Sequence, residues 1–99
     1  MPAVASVIGF EWNDGNARRS VEKHAVSQAE AEQIFFNEPL IARTDDKHSD
    51  IEQRFHALGQ TDTGRLLHVT FALKKGGVLI RVISARPLSR TERTRYGKN

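Results

Sequence analysis

The end of the chain sets arginines at short intervals: Arg81 and Arg86 on a run of strand type, then Arg90, Arg93 and Arg95 beyond Pro87. A guanidinium is a planar fork that grips two phosphate oxygens and stays charged at physiological pH, so arginines on rigid elements point to phosphate recognition. Residues 81 to 99 hold six Lys/Arg and one acid, whereas the whole chain of 99 residues carries 15 basic and 12 acidic side chains, a net of +3. Basic character is therefore concentrated at one end. The clustering, more than the net charge, favours an acidic partner, with nucleic acid first and an acidic protein second.

Side-chain alternation adds further groups. In the run from Ile51 to Gly59, Glu52, Arg54, His56 and Leu58 share one face, with Phe55 and Ala57 on the other. In the last strand Arg81 falls with Leu79, Ile83 and Ala85, opposite Ile80 and Val82. Glu52, Arg54, His56, His68 and Arg81 are thus expected on a single sheet surface. RNA is cut without metal when its own 2′-OH attacks the neighbouring phosphorus, which needs a base at that hydroxyl, an acid at the leaving oxygen and cations on the phosphoryl group. Histidine and glutamate suit the first two roles and arginine the third.

Each residue also has a plainer reading. Glu52 and Arg54 suit a surface ion pair, His24 a helix C-terminus favoured by the dipole, and Arg90, Arg93 and Arg95 a solvated helix face. His56 and His68 suit ordinary surface histidines, and Trp12 a core or interface anchor. No metal and no cofactor is expected: His24, His48, His56 and His68 lack ligand spacing, and there is no cysteine.

The elements that must position these groups can be read along the chain. Residues 7 to 12 form a short strand, and Asn13 to Asn16 supply a turn and an N-cap. Ala17, Val21 and His24 make a narrow stripe on a helix from Asp14 to His24. Ser27 and Glu30 form a capping box that opens a second helix, with Ala31, Ile34 and Phe35 on its apolar side, until Asn37-Glu38-Pro39 stops it. Leu40 to Ala42 is a short strand and residues 43 to 50 a charged loop. Strand-like runs then span Ile51 to Gly59, Arg65 to Leu73 and Val78 to Ala85, with glycine-bearing turns at 61 to 64 and 74 to 77. Pro87 suits the first turn of a last helix over Leu88 to Tyr96.

This order predicts an α+β fold: two N-terminal helices packed on one face of a three- to four-stranded antiparallel sheet, with a short C-terminal helix. With 38% hydrophobic residues the chain suits one domain over residues 1 to 99, its termini frayed. The apolar stretch at residues 1 to 8 lacks a basic lead and is too short to span a bilayer, so it reads as a lead-in to a strand with no membrane anchor. The missing cysteines fit a cytoplasmic protein.

The ordered set Phe10-Glu-Trp12, Lys23-His24-Ala-Val26-Ser27, Glu52-Gln-Arg54-Phe55-His-Ala-Leu-Gly59, Arg81-Val-Ile-Ser84-Ala-Arg86 and Glu92-Arg93 resembles the BrnT family of bacterial toxins, from about residue 10 to residue 96. The resemblance implies a compact fold similar to RelE toxins and a ribonuclease that inhibits translation by cutting RNA. It implies neutralisation by a BrnA-like ribbon-helix-helix antitoxin, with which the toxin represses its own operon; operator DNA is bound only through the antitoxin. It places His24, Glu52, Arg54, Arg81 and Arg86 on the cleavage surface, beside which the basic residues Lys23, Arg90, Arg93 and Arg95 are expected to bind RNA.

The sequence departs from the family's usual residues: a lysine is usual where Asn16 stands, an asparagine at Ser20, a glycine at Ala25 and an aromatic residue at Gln28. Glycine takes the left-handed C-cap conformation at little cost and alanine does not. These departures leave a second reading beside the nuclease: a non-catalytic domain that binds nucleic acid or an acidic protein through the same basic surface.

Overall fold

The computed structural model describes residues 7, 9–48 and 52–97. The rest of the expected lead-in and the expected strand start at Ile51 lie outside the described residues. Strand β1 (Gly9–Trp12) leads into helix α1 (Asp14–His24), helix α2 (Gln28–Gln33) and a 3-10 turn (Ile34–Phe36). Strands β2 (Ile41–Asp45), β3 (Arg54–Gln60), β4 (Leu66–Lys74) and β5 (Leu79–Pro87) follow, and helix α3 (Arg90–Tyr96) ends the described chain.

The sheet has five strands in the order β1-β5-β4-β3-β2. β2 to β5 pair antiparallel, but β1 runs parallel to β5, with Phe10 opposite Ile80. This corrects the expected three- to four-stranded antiparallel sheet under two N-terminal helices: the sheet is five-stranded and mixed, because the expected first strand joins its edge in parallel. Pattern reading found the first strand but not its partner, because alternation marks a strand's faces and carries no information on its direction.

Local signals account for most boundaries. Asn13 caps α1 by accepting from the Gly15 and Asn16 amides. Ser27 and Glu30 close the expected capping box on α2. Ser89 and Glu92 close a second box on α3, so that helix starts at Arg90, and Pro87, expected inside it, ends β5 instead. Ala25 takes the left-handed conformation at φ 53°, a region that favours glycine, so the helix junction is made at a steric cost. Gly64, Gly76 and Gly77 supply the positive φ of the hairpin turns.

Val26, Ala31, Ile34 and Phe35 of the helical layer are buried against Phe55, Ala57, Leu67, Val69, Phe71, Ile80, Val82 and Ala85 of the sheet. Phe71 stacks on Phe55 at 5.3 Å between ring centroids and meets Phe35 edge-on at 5.1 Å. Gly59 lets Ile34 approach so closely that a Cβ at that position would meet the Ile34 Cβ at 2.8 Å. The expected stripe on α1 is rotated: Ser20 is buried, while Val21 is 52% exposed and His24 lies on the surface. Trp12 packs against the core and donates to Glu32 at 2.8 Å.

The other sheet face is only partly covered. Leu88 and Tyr96 pack on Leu58, Ile41 and Leu66, and the Tyr96 hydroxyl donates to the Pro39 carbonyl at 2.6 Å. α3 thus sits over one end of this face and leaves the remainder to solvent.

Candidate active site

Alternation on β3 turns Arg54, His56 and Leu58 away from the helical layer, and on β4 it turns His68, Thr70, Ala72 and Lys74 the same way. β5 is less regular. Arg81 and Arg86 are five positions apart, and strict alternation would send them to opposite faces. A bulge resolves this: Phe71 faces Val82 and Thr70 faces Ser84, so Ile83 is an extra residue without a partner. Both arginines therefore lie on the open face. Ala85, expected beside Arg81, joins Ile80 and Val82 in the core instead.

Two clusters stand on this face. In the first, Glu52, just before β3, accepts from Arg81 Nη1 at 2.8 Å and from Lys74 Nζ. The Lys74 bond, then the charges of Arg81, Lys74 and Arg54, hold the Glu52 carboxyl below its ordinary range. Arg54 lies between Asp45 on β2 and Ala72 on β4.

The second cluster is a chain of side chains that runs from β2 to α3. His56 Nε2 lies 2.8 Å from Asp45 Oδ2, and His56 Nδ1 lies 2.8 Å from His68 Nε2 and 3.1 Å from the Thr70 hydroxyl. His68 Nδ1 then faces both Arg86 Nη2 at 2.7 Å and Glu92 Oε2 at 2.9 Å. Arg86 bonds Glu92 through both terminal nitrogens, at 2.8 and 2.9 Å, and its Nη1 also donates to the Pro87 carbonyl at 3.0 Å. The Arg86 fork, with the Ser89 amide behind it, pulls the Glu92 carboxyl down to about 2. Burial, then the Arg86 charge, pushes His68 below the ordinary imidazole value.

Partner chemistry sets the protons on this chain, since a carboxylate can only accept and a guanidinium can only donate. His56 Nε2–H donates to Asp45. One proton fits between the two rings, and with both rings neutral it sits on His68 Nε2 and donates to His56 Nδ1. His68 Nδ1 is then bare and accepts from Arg86. Beside the chain lies a cavity of about 220 Å³ lined by Ile41, Arg43, His56, Leu58, His68, Glu92 and Arg95.

Glu52, Arg54, Arg81 and Arg86 thus share one face with His56 and His68. His24 stands apart from them: it sits on the last turn of α1, and its carbonyl accepts from Arg65 Nη2 at 3.0 Å. Lys23, on the same turn, is exposed. Arg90, Arg93 and Arg95 are exposed on α3; Arg93 lines a second concavity with Arg65, Leu66 and Pro87. Ser20 is buried in α1 and Gln28 is exposed at the start of α2.

Sequence reading did not single out Arg43, Asp45, Lys74 or the pairing role of Glu92. Following the alternation of β4 one step past Ala72 reaches Lys74, and Ser89-x-x-Glu92 was legible as a capping box. Arg43 and Asp45 lay hidden because the short strand at Leu40 to Ala42 was ended too early. Among the described residues, no group of three or more His, Cys, Asp or Glu side chains is placed to hold a metal ion.

The family model described as the ribonuclease toxin, BrnT, of type II toxin-antitoxin systems matches residues 12–92. The protein is accordingly a ribonuclease toxin of the type II class. Within that class, the chain belongs to the BrnT family. Its structure is similar to the crystal structure of the ribonuclease toxin BrnT of Brucella abortus, with a TM-score of 0.59 and 21% identity over 85% of this chain and 100% of that one. At that identity the likeness speaks to the fold. No curated protein matches the chain in sequence.

Proposed function

We propose that the open sheet face binds single-stranded RNA and cuts it without a metal ion, by in-line attack of a 2′-OH on the adjacent phosphorus. The 2′-oxygen gives up its proton and bonds to phosphorus, the bond from phosphorus to the 5′-oxygen breaks, and that oxygen takes a proton. The products are a 2′,3′-cyclic phosphate and a 5′-hydroxyl. The observation that supports this most is the β5 bulge, which sets Arg81 and Arg86 on the same face as two imidazoles and two carboxylates.

Arg81 is the better phosphate ligand of the two, because Glu52 takes only its Nη1, whereas both terminal nitrogens of Arg86 are bonded. Glu52, held ionised by Lys74 and Arg81, is a weak base and serves chiefly to aim those cations. Proton transfer falls more naturally to the imidazoles of His56 and His68, since the ordinary histidine value lies near neutrality. The exposed arginines of α3 extend the track for the RNA backbone, and Arg65 and Arg93 carry it round the end of the sheet toward Lys23 and His24.

The layering supports the RelE-like fold that the family resemblance implies. Membership of the family accords with action on cytoplasmic RNA in translation, with neutralisation by a ribbon-helix-helix antitoxin through which alone operator DNA is reached. No helix among the described residues is long and apolar enough to cross a membrane.

Incubating the purified protein with RNA in EDTA tests the reading. Cleavage is expected, and Arg81→Ala or Glu52→Ala should lower its rate roughly 10²- to 10³-fold. Salt-sensitive binding without cleavage would instead establish the non-catalytic reading. Cleavage that survives both substitutions unchanged would remove this face from the chemistry.

A further inference from the structure

Arg86 is closed to an incoming anion. Its four terminal N–H groups are taken by Glu92 twice, by His68 and by the Pro87 carbonyl, which leaves Nε–H alone for a ligand. A phosphate drawn toward Arg86 would meet the Glu92 carboxylate beside it.

His68 offers a way out. Its Nδ1 stands between a donor and an acceptor, Arg86 Nη2 at 2.7 Å and Glu92 Oε2 at 2.9 Å. A proton added there turns the nitrogen from an acceptor of Arg86 into a donor to Glu92. The first bond is lost and replaced by repulsion between cations, and Glu92 gains a partner that competes with Arg86 Nη2. The Arg86 edge is thereby released. Asp45 and His56 fix the ring for this role: Asp45 keeps a proton on His56 Nε2, and His56 Nδ1 keeps one on His68 Nε2, so an added proton has Nδ1 as its place.

Resting on the ribonuclease reading above, we propose that the Arg86 edge of the open face, next to the cavity that His68 and Glu92 line with Arg43 and Arg95, is a subsite for an RNA phosphate, which it takes up together with one solvent proton. The phosphate occupies the Arg86 edge, and the protonated His68 holds Glu92 in its place. The groups that face His68 are Asp45 and Arg43 from β2, His56 from β3, Arg86 from β5, and Glu92 and Arg95 from α3. Arg43 and Arg95 on the rim favour the anion. Burial and the Arg86 charge disfavour the protonated ring when no anion is bound, which favours the closed latch in the free protein.

Titration calorimetry with a 2′-O-methyl RNA oligonucleotide, which cannot be cut, in two buffers of different ionisation enthalpy reads the proton directly. The intact protein should take up close to one proton per bound oligonucleotide near neutrality, and its affinity should rise up to tenfold for each pH unit lowered. Glu92→Gln keeps the capping-box geometry but gives Arg86 no carboxylate. That variant should bind at pH 8 as tightly as the native protein does at lower pH, with no proton uptake, a gain that mere damage to the fold cannot produce. His68→Gln should abolish the uptake and flatten the pH dependence.

Salt-sensitive binding with no proton exchange, or a Glu92→Gln variant no tighter than native at pH 8, would overturn the latch while leaving the ribonuclease reading intact. Failure of the native protein to bind the oligonucleotide at any pH would defeat both together.

Discussion

Arg81 and Arg86 read alike in the sequence, yet their surroundings divide the work between them. Arg81 gives one N–H to Glu52, whereas Arg86 is engaged through both terminal nitrogens. Equal distance from a phosphate would not make them equal ligands. Ala25 is another residue whose meaning comes from its backbone. An L-residue in the left-handed region costs roughly 1–2 kcal/mol, partly offset because alanine gives up less freedom on folding than glycine. Ala25→Gly should therefore stabilise the protein by roughly 0.5–1 kcal/mol, seen as a rise of a few degrees in the thermal midpoint. An unchanged or lower midpoint would show that the helix junction is not strained.

Among the elements, the bulge on β5 decides most. Deleting Ile83 removes the unpaired residue and leaves Arg81 and Arg86 four positions apart, still on one face, so this variant should fold and keep both ion pairs. Deleting Ser84 as well leaves them three apart and should turn Ala85 to Pro87 over, drive Arg86 toward the helical layer and expose Ala85. Near-ultraviolet circular dichroism and urea unfolding would separate the two outcomes; equal behaviour would deny the bulge this role. The same element shows where sequence reading succeeds and stops. Alternation correctly set Phe55 and Ala57 opposite Arg54, and Ile80 and Val82 opposite Arg81, and all four apolar residues lie in the core. It misplaced Ala85, because a bulge shifts parity without a mark in residue type. It also rotated α1, where Val21 and His24 look apolar enough to face inward but the small Ser20 fits the close contact with β5.

For the whole molecule, the same ionic chain makes stability depend on acid in two windows. Glu92 is held at about 2 against an ordinary value of 4.5, so its contribution is complete above the ordinary value and is lost as pH falls from there toward 2. The loss should be on the order of 3 kcal/mol. His68 acts in a higher window: burial disfavours its charged form, so its contribution is full above the ordinary imidazole value of 6.5 and declines as pH drops below it. Urea midpoints measured from pH 8 to pH 2 should therefore fall in two stages, and Glu92→Gln should shrink the lower one, to which Glu30 and Glu52, also held below the ordinary value, contribute the remainder. A single smooth decline would contradict the assignment.

The parallel seam between β1 and β5 ties together stretches about 70 residues apart, through only four residues of the earlier strand. A chain started at Asn13 would lose only Glu11 from the charged groups of the open face, but it would also lose the outer neighbour of Leu79 to Val82. Their outward amides and carbonyls would then form a bare margin, the kind of backbone that recruits strands from other molecules. Such a shortened protein would be prone to self-association through this margin. Gly9 to Trp12 thus act as a hem, keeping the toxin's last strand from fastening onto its neighbours.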